Sequence, residues 1–343
     1  VPAYLSELAP TRLRGALGLL NQIFIVLGIF IAFIVAYELG DSRNWRAMFA
    51  GAFVPAVILI IGLSFLPETP RWLLNTGHEE QARQVLLATH RAEEVEGEIE
   101  NIREVIRMDA EDRGTFRDLF APWVRPILLV AVLLAVGQQF SGVNAISAYF
   151  PTMLVSLGFS THVSLLSATV LGLTKLLFTA WVVFVVDRWG RKPLLLIGNV
   201  VMVITLTLAG LVILNVHDKT ALGTETLVLL VLYLVGYELG WGAVVWVMMA
   251  EVFPLRLRAA GMGVATVVLW GATGLVTYEF PIISDKHHLG LGHSMWVFAA
   301  INVVLFLLVK WLVPETKGRS LEEIELDLRG GGRRVATDAE VAS

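Results

Sequence analysis

Apolar residues gather along the chain into eight runs of about 20 residues, the length that spans a bilayer core as a helix. They lie near 15–39, 46–66, 126–156, 163–186, 193–215, 226–249, 259–282 and 295–313. At 1.5 Å rise per residue each crosses roughly 30 Å of hydrocarbon. Gly142, Pro151, Gly236 and Gly240 interrupt these runs. Neighbouring helices can satisfy the backbone groups they free. The stretch "FSGVNAISAYFP", residues 140–151, is the clearest candidate for a broken helix. Between the second and third runs the pattern changes. "EEQARQVLLAT" and "EIENIREVIRM" place apolar residues at helical spacing with charge opposite, which predicts short amphipathic helices within 67–125.

The pattern also repeats. "ELAPTRLR" (Glu7 to Arg14) and "EVFPLRLR" (Glu251 to Arg258) share Glu, Pro, Arg, Leu and Arg at an offset of 244 residues. "PETPR" from Pro67 and "PETKGR" from Pro314 are offset by 247, and two apolar runs separate each octet from the following "PET". Such agreement is what a long internal repeat predicts. Four runs precede the second octet and none precedes the first. The repeat therefore predicts an all-α membrane fold of twelve spans in two halves, eight of them present, in a chain truncated at its N-terminus. The expected divisions are the end of a first bundle at 1–66, a helical linker at 67–125, a second bundle at 126–316 and a tail at 317–343. Within each octet, Glu7 and Arg14, and Glu251 and Arg258, flank a proline turn followed by small residues, a charged pair able to lock helix ends.

Composition agrees with a lipid bilayer as the partner: 56% of residues are hydrophobic, 16% are charged, and the mean hydropathy is +0.71. The balance of 26 basic against 30 acidic residues gives no footprint for nucleic acid. Cysteine is absent, which excludes disulfides, zinc–thiolate sites and cysteine nucleophiles. Lys and Arg are distributed unequally. Twenty fall in the N-terminal segment, 67–125, "DRWGRK", the second octet and the tail, and three (Arg43, Lys219, Lys286) in the alternate loops. The positive-inside rule then makes both ends of the chain cytoplasmic in a multi-pass protein of the cell membrane.

Polar residues recur at mid-depth. Lys175 lies ~18 Å above Asp187, Glu238 ~20 Å above Glu251, Gln138 and Gln139 ~18–20 Å above Pro126, and Gln22 ~12 Å above Arg14. Polar groups at that depth are costly unless they face a cavity or one another, so they predict a midplane binding site.

"PETPRWLL", "QQFSGVNAISAYF", "DRWGRKPL" and "PETKGRSLEEIE", in this order along the chain, resemble the sugar porters of the major facilitator superfamily. The resemblance covers Val1 to about Glu325. It implies two six-helix bundles working by alternating access, the spans here being the fifth to twelfth, and a sugar or related polyhydroxy compound as substrate, with a proton as candidate co-substrate. It also implies that Gln22, Gln138, Gln139 and Asn144 bind sugar hydroxyls, that Tyr149 is a gate aromatic, and that Glu238, Trp246 and Trp270 lie near the site. Asp187, Arg188 and Arg191 of "DRWGRK" match the superfamily's cytoplasmic loop, a charge-braced gating turn. Lys175 and Leu269 stand where these porters usually carry an Asn, and Thr273 replaces a third. A mid-helix Lys costs roughly 2.5–3.5 kcal/mol on insertion scales and needs a partner. Glu238 at matching depth is the obvious one.

His287, His288 and His293 read as a solvated loop rather than a metal site. No cofactor or metal is called for, and no catalytic spacing of Ser/His/Asp or paired carboxylates is present, which points away from an enzyme. Three rival readings stand: a transporter of an acidic sugar or other organic anion, a non-transporting sugar sensor, and an inert truncated product. Only 29 residues follow Pro314, short for a signalling tail. Uniport and proton symport stay open, because the first helix, where the family's coupling carboxylate sits, is absent.

The topology is testable in this cysteine-free background. With Cys placed at Asp109 or His287, a membrane-impermeant thiol reagent added to intact cells should label 287 and leave 109 unlabelled. Labelling at 109 from outside would refute the orientation.

Overall fold

The computed structural model describes residues 4, 14–40, 44–89, 91–111, 116–242 and 244–317. Among them regular structure is entirely helical. The elements are α1 (Arg14–Gly40), α2 (Trp45–Gly51), α3 (Phe53–Ser64), α4 (Pro70–Asn75), α5 (Glu79–Thr89), α6 (Val95–Glu111) and a 3₁₀ turn (Phe116–Phe120). They continue with α7 (Arg125–Phe140), α8 (Val143–Ser156), α9 (Thr161–Trp189), α10 (Arg191–Asn215), α11 (Lys219–Tyr237), a π turn (Glu238–Gly242), α12 (Val244–Val252), α13 (Leu255–Ser284) and α14 (Gly290–Leu312). Eight helical stretches among the described residues are long and apolar enough to cross a membrane, each coinciding with one sequence run. Three are composite: α2 with α3, α7 with α8, and α11 with the π turn and α12.

The chain divides into two compact units, Val1–Arg113 and Gly114–Ser343. The division falls inside the 67–125 segment, after its amphipathic helices. In the first unit, Thr69 of "PETPR" caps α4 by accepting a hydrogen bond from Trp72 N at 3.2 Å, and Pro70 occupies the first turn, where its missing N–H costs nothing. The apolar stripes of α5 and α6 then close on each other: Leu86, Val95 and Ile99 are buried, with Leu74 and Ile102 packed against them. Ion pairs Arg83–Glu96 and Arg103–Glu79 join the two helices along their exposed sides. The segment is a small folded helical layer, as its periodicity predicts.

In the second unit α10 packs along α11 and α14, and α7 along α13. Small residues set the spacing. A Cβ on Gly198 would lie 2.4 Å from the Gly236 carbonyl oxygen, and one on Gly240 would lie 3.0 Å from that of Leu194. The two backbones of α10 and the α11–π segment therefore meet with no side chain between them, the close approach that membrane helices use for want of a hydrophobic drive. Trp296 of α14 lies against Gly210 and donates its indole N–H to Thr207 O at 3.1 Å.

Gly198→Ala should push these backbones apart. Over-packing of this kind costs about 1–3 kcal/mol, read as a lowered melting temperature of the detergent-solubilised protein. An unchanged melting temperature would contradict the contact.

Candidate functional site

The α7–α8 span breaks at Ser141–Gly142, where Gly142 takes φ +100°, a left-handed conformation that disfavours side chains. A Cβ there would also lie 2.8 Å from the Phe298 ring. The break frees the Ser141 carbonyl, which accepts from Tyr233 Oη at 2.9 Å and Asn302 Nδ2 at 3.1 Å. Two other helices thus supply the donors that water cannot provide in a bilayer.

The break also places the amides. Gln138 and Gln139 end α7, each 3% exposed, and Asn144 opens α8, half-buried. Asn144 Nδ2 donates to Gln139 Oε1, Gln139 Nε2 donates to Gln138 Oε1 at 3.2 Å, and Gln138 Nε2 donates to the Trp241 carbonyl at 2.7 Å. The result is a one-way relay from Asn144 to the π turn. Gln138, read from the sequence as a sugar ligand, has its N–H engaged by backbone.

Trp241 was not singled out in the sequence. It is fully buried, its indole N–H donates to Asn199 Oδ1 at 3.1 Å, and its ring occupies the space that Gly137 leaves, 2.6 Å from a hypothetical Cβ. One residue of the π turn therefore ties α7 to α10.

Glu238 begins the π turn and is 1% exposed; Lys175 is 20% exposed on α9. Lys175 Nζ lies 3.6 Å from Glu238 Oε1 and 5.8 Å from the centroid of the Tyr237 ring. Thr179, one turn along α9, donates to Glu238 Oε2 at 2.8 Å. Glu238 Oε1 is buried with no hydrogen-bond partner among the described residues. The pairing read from depth alone is therefore present, with Thr179 as an unanticipated third member.

The remaining residues fall into two groups. Tyr149 packs against Phe280 at 5.6 Å between ring centroids, and Phe280 against Phe298 at 5.9 Å, a row of rings from α8, α13 and α14. Trp246 is half-buried on α12, and Trp270 on α13 is 64% exposed. Leu269 is buried, and the Thr273 hydroxyl donates to the Leu269 carbonyl at 2.8 Å. Gln22 is half-buried on α1 in the first unit. At the other end of the second unit, Glu251 pairs with Arg191 at 3.3 Å rather than with Arg258, whose Nε is buried without a hydrogen-bond partner among the described residues. The reason is geometric: Pro254 turns the chain between Glu251 and Arg258, while α10 begins beside Glu251. Glu7 and the side chains of Arg14 and Asp187 lie outside the described residues.

Glu315 of the second "PET" holds this end together. Its carboxylate accepts from Arg191 N and Lys192 N at 3.0 Å each, capping α10 and meeting the positive end of its dipole. It also accepts from Thr316 N and Lys317 N at 2.9 Å, and Lys317 Nζ donates to the Arg188 carbonyl at 2.6 Å. Gly190, at φ +90°, leaves room for the carboxylate, since a Cβ there would lie 2.8 Å from Glu315 Oε2. The recurrence of "PET" was the signal available in the sequence for this residue.

A family model described as "Sugar (and other) transporter" matches residues 1–328. The glucose transporter GlcP of Staphylococcus epidermidis is 40% identical over 329 residues, covering 96% of this chain and 72% of that protein. The arabinose-proton symporter of Bacillus subtilis is 34% identical over 330 residues, covering 94% and 70%. Among solved structures, the proton:xylose symporter XylE of the major facilitator superfamily, bound to 6-bromo-6-deoxy-D-glucose, superposes with a TM-score of 0.74 at 32% identity, covering 95% of this chain and 69% of that one.

The geometry of Lys175 and Glu238 makes a quantitative expectation. Lys175→Met or Glu238→Gln alone leaves a buried charge without its partner and should cost about 3–5 kcal/mol, whereas the double substitution should cost less than either. Unfolding of the solubilised protein measures the cycle, and strictly additive losses would remove the pair.

Proposed function

This chain belongs to the sugar porter family of the major facilitator superfamily, and from that premise we propose that its mid-span amides form the site that carries a sugar or related polyol across the cell membrane. The observation that carries the reading is the relay Asn144–Gln139–Gln138. Amide side chains offer donors and acceptors together, which suits a ligand covered in hydroxyls. The relay orients Asn144 from behind, and among the described residues nothing donates to Asn144 Oδ1. Asn144 is then the ligand's contact, Gln139 its support, and Gln138 the anchor to the π turn. Gln22, Trp246 and Trp270 complete the candidate set.

Alternating access exposes such a site to one side of the membrane at a time. Tyr149, with Phe280 and Phe298, closes the outer side in this reading. Arg191, Glu251 and Glu315 brace the inner, cytoplasmic side, where both ends of the chain lie. The substrate leaves chemically unchanged, so the protein is a carrier and not an enzyme. Proton symport is the coupling favoured by the names of the arabinose-proton and xylose-proton relatives. Residues 126–316 act as the second bundle and 67–125 as its helical linker.

Binding of D-glucose and D-xylose to the purified chain, and their uptake into cells lacking other sugar carriers, test this. Saturable binding is expected, weakened about tenfold in Asn144→Ala, the loss of roughly one hydrogen bond to a polar ligand. Absence of saturable binding of any neutral sugar, or unaltered binding in Asn144→Ala, would overturn it.

A further inference from the structure

Lys175 is the central residue of α9, 14 residues from each end of Thr161–Trp189. That places it ~21 Å from either end along the helix. It lies in register with the buried positions Ser164, Ala168, Leu171, Thr179 and Val182, spaced by three and four, and so on the packed face of α9. Its partner Glu238 is closed off at 1% exposure while the Lys175 side chain keeps 20%, so Lys175 is the member of the pair with open surface. Other charged residues on α7–α14 sit toward helix ends: Glu225 near the start of α11, Glu279 near the end of α13, Lys310 near the end of α14. Among the described residues, the charge at mid-span is thus the sum of one cation and one anion.

Three contacts hold the pair. Glu238 is fixed by Thr179, and Lys175 by Glu238 and the face of Tyr237. The carboxylate also needs its space: a Cβ on Gly242 would lie 2.4 Å from Glu238 Oε2. An ammonium offers three donors and no acceptor, and can give hydrogen bonds to sugar hydroxyl or ring oxygens. Alone it would also attract an acidic sugar. With Glu238 beside it, an incoming carboxylate meets an attraction and a like-charge repulsion at nearly the same distance, a device that rejects the wrong ligand rather than improving the right one.

We infer that Lys175 and Glu238 form a charge filter: Lys175 donates hydrogen bonds to a neutral polyhydroxylated substrate, while Glu238, behind it, cancels its charge and excludes acidic sugars. This rests on the sugar-transport reading above and names its substrate class. Lys175 is the specificity residue, and Glu238 is its positioning and compensating partner.

Binding of D-glucose and D-glucuronate to the purified full chain, measured calorimetrically, separates the possibilities. The unaltered protein should prefer glucose, and Glu238→Gln should raise the glucuronate-to-glucose affinity ratio by about tenfold or more, because the cation is then uncompensated. Should Glu238→Gln fail to fold, Glu238→Asp keeps the charge but withdraws it from Lys175, and the ratio should rise in the same direction by a smaller factor. The double variant Lys175→Met/Glu238→Gln removes both charges and should return the ratio to a preference for glucose. A preference for glucuronate in the unaltered chain, or a ratio unmoved in folded Glu238→Gln or Glu238→Asp, overturns the filter while leaving sugar binding intact. Binding of neither sugar by the unaltered chain overturns the transport reading and the filter with it.

Discussion

Inside a bilayer a backbone carbonyl at an irregular turn has no water to turn to, and the second unit is organised around two carbonyls taken up by side chains of other helices. At Ser141 the carbonyl is taken up by Tyr233 and Asn302, and at Trp241 by Gln138. Each repair comes from a different helix, so breaking a helix and joining it to its neighbours are one event. The broken segments are also where the polar side chains sit, because Gln138, Gln139 and Asn144 flank the first break and Glu238 opens the second. The proposed binding site is therefore a by-product of the way irregular backbone is tolerated in lipid.

Against these fixed points the close packing of α10 acts as a rigid frame. Its glycines admit the backbone of the α11–π segment and the ring of Trp296, and Asn199 holds Trp241. At its first turn the Glu315 carboxylate gathers four backbone N–H groups. In the proposed transport cycle, moving elements move relative to this frame.

Much of this was legible in the sequence because lipid imposes simple rules. Span positions follow from runs of apolar residues, the broken helix from Gly142 and Pro151 inside one such run, and the Lys175–Glu238 pair from the expense of mid-depth charge. The linker helices followed from their stripe, and Leu86, Val95 and Ile99 are its buried members. What stayed hidden depends on three-dimensional register. The sequence offered Arg258 as the partner of Glu251, seven residues away, whereas the fold supplies Arg191 from another helix. Glu315 gave only a recurring tripeptide, since its targets are backbone groups 123 and 124 residues distant. The π turn leaves no signature beyond Gly240 and Gly242, and with it went the role of Trp241 and the direction of the amide relay.

The crowding of Glu238 by Gly242 limits what can replace either residue. With the carboxylate where it stands, any larger residue at 242 would meet Oε2 and displace it from Lys175. Lys175 keeps a fifth of its surface open, whereas Glu238 is sealed and depends the more on its partner. The three positions therefore constrain one another's substitution: changing the lysine alone strands a sealed carboxylate, whereas changing both charged residues together strands nothing.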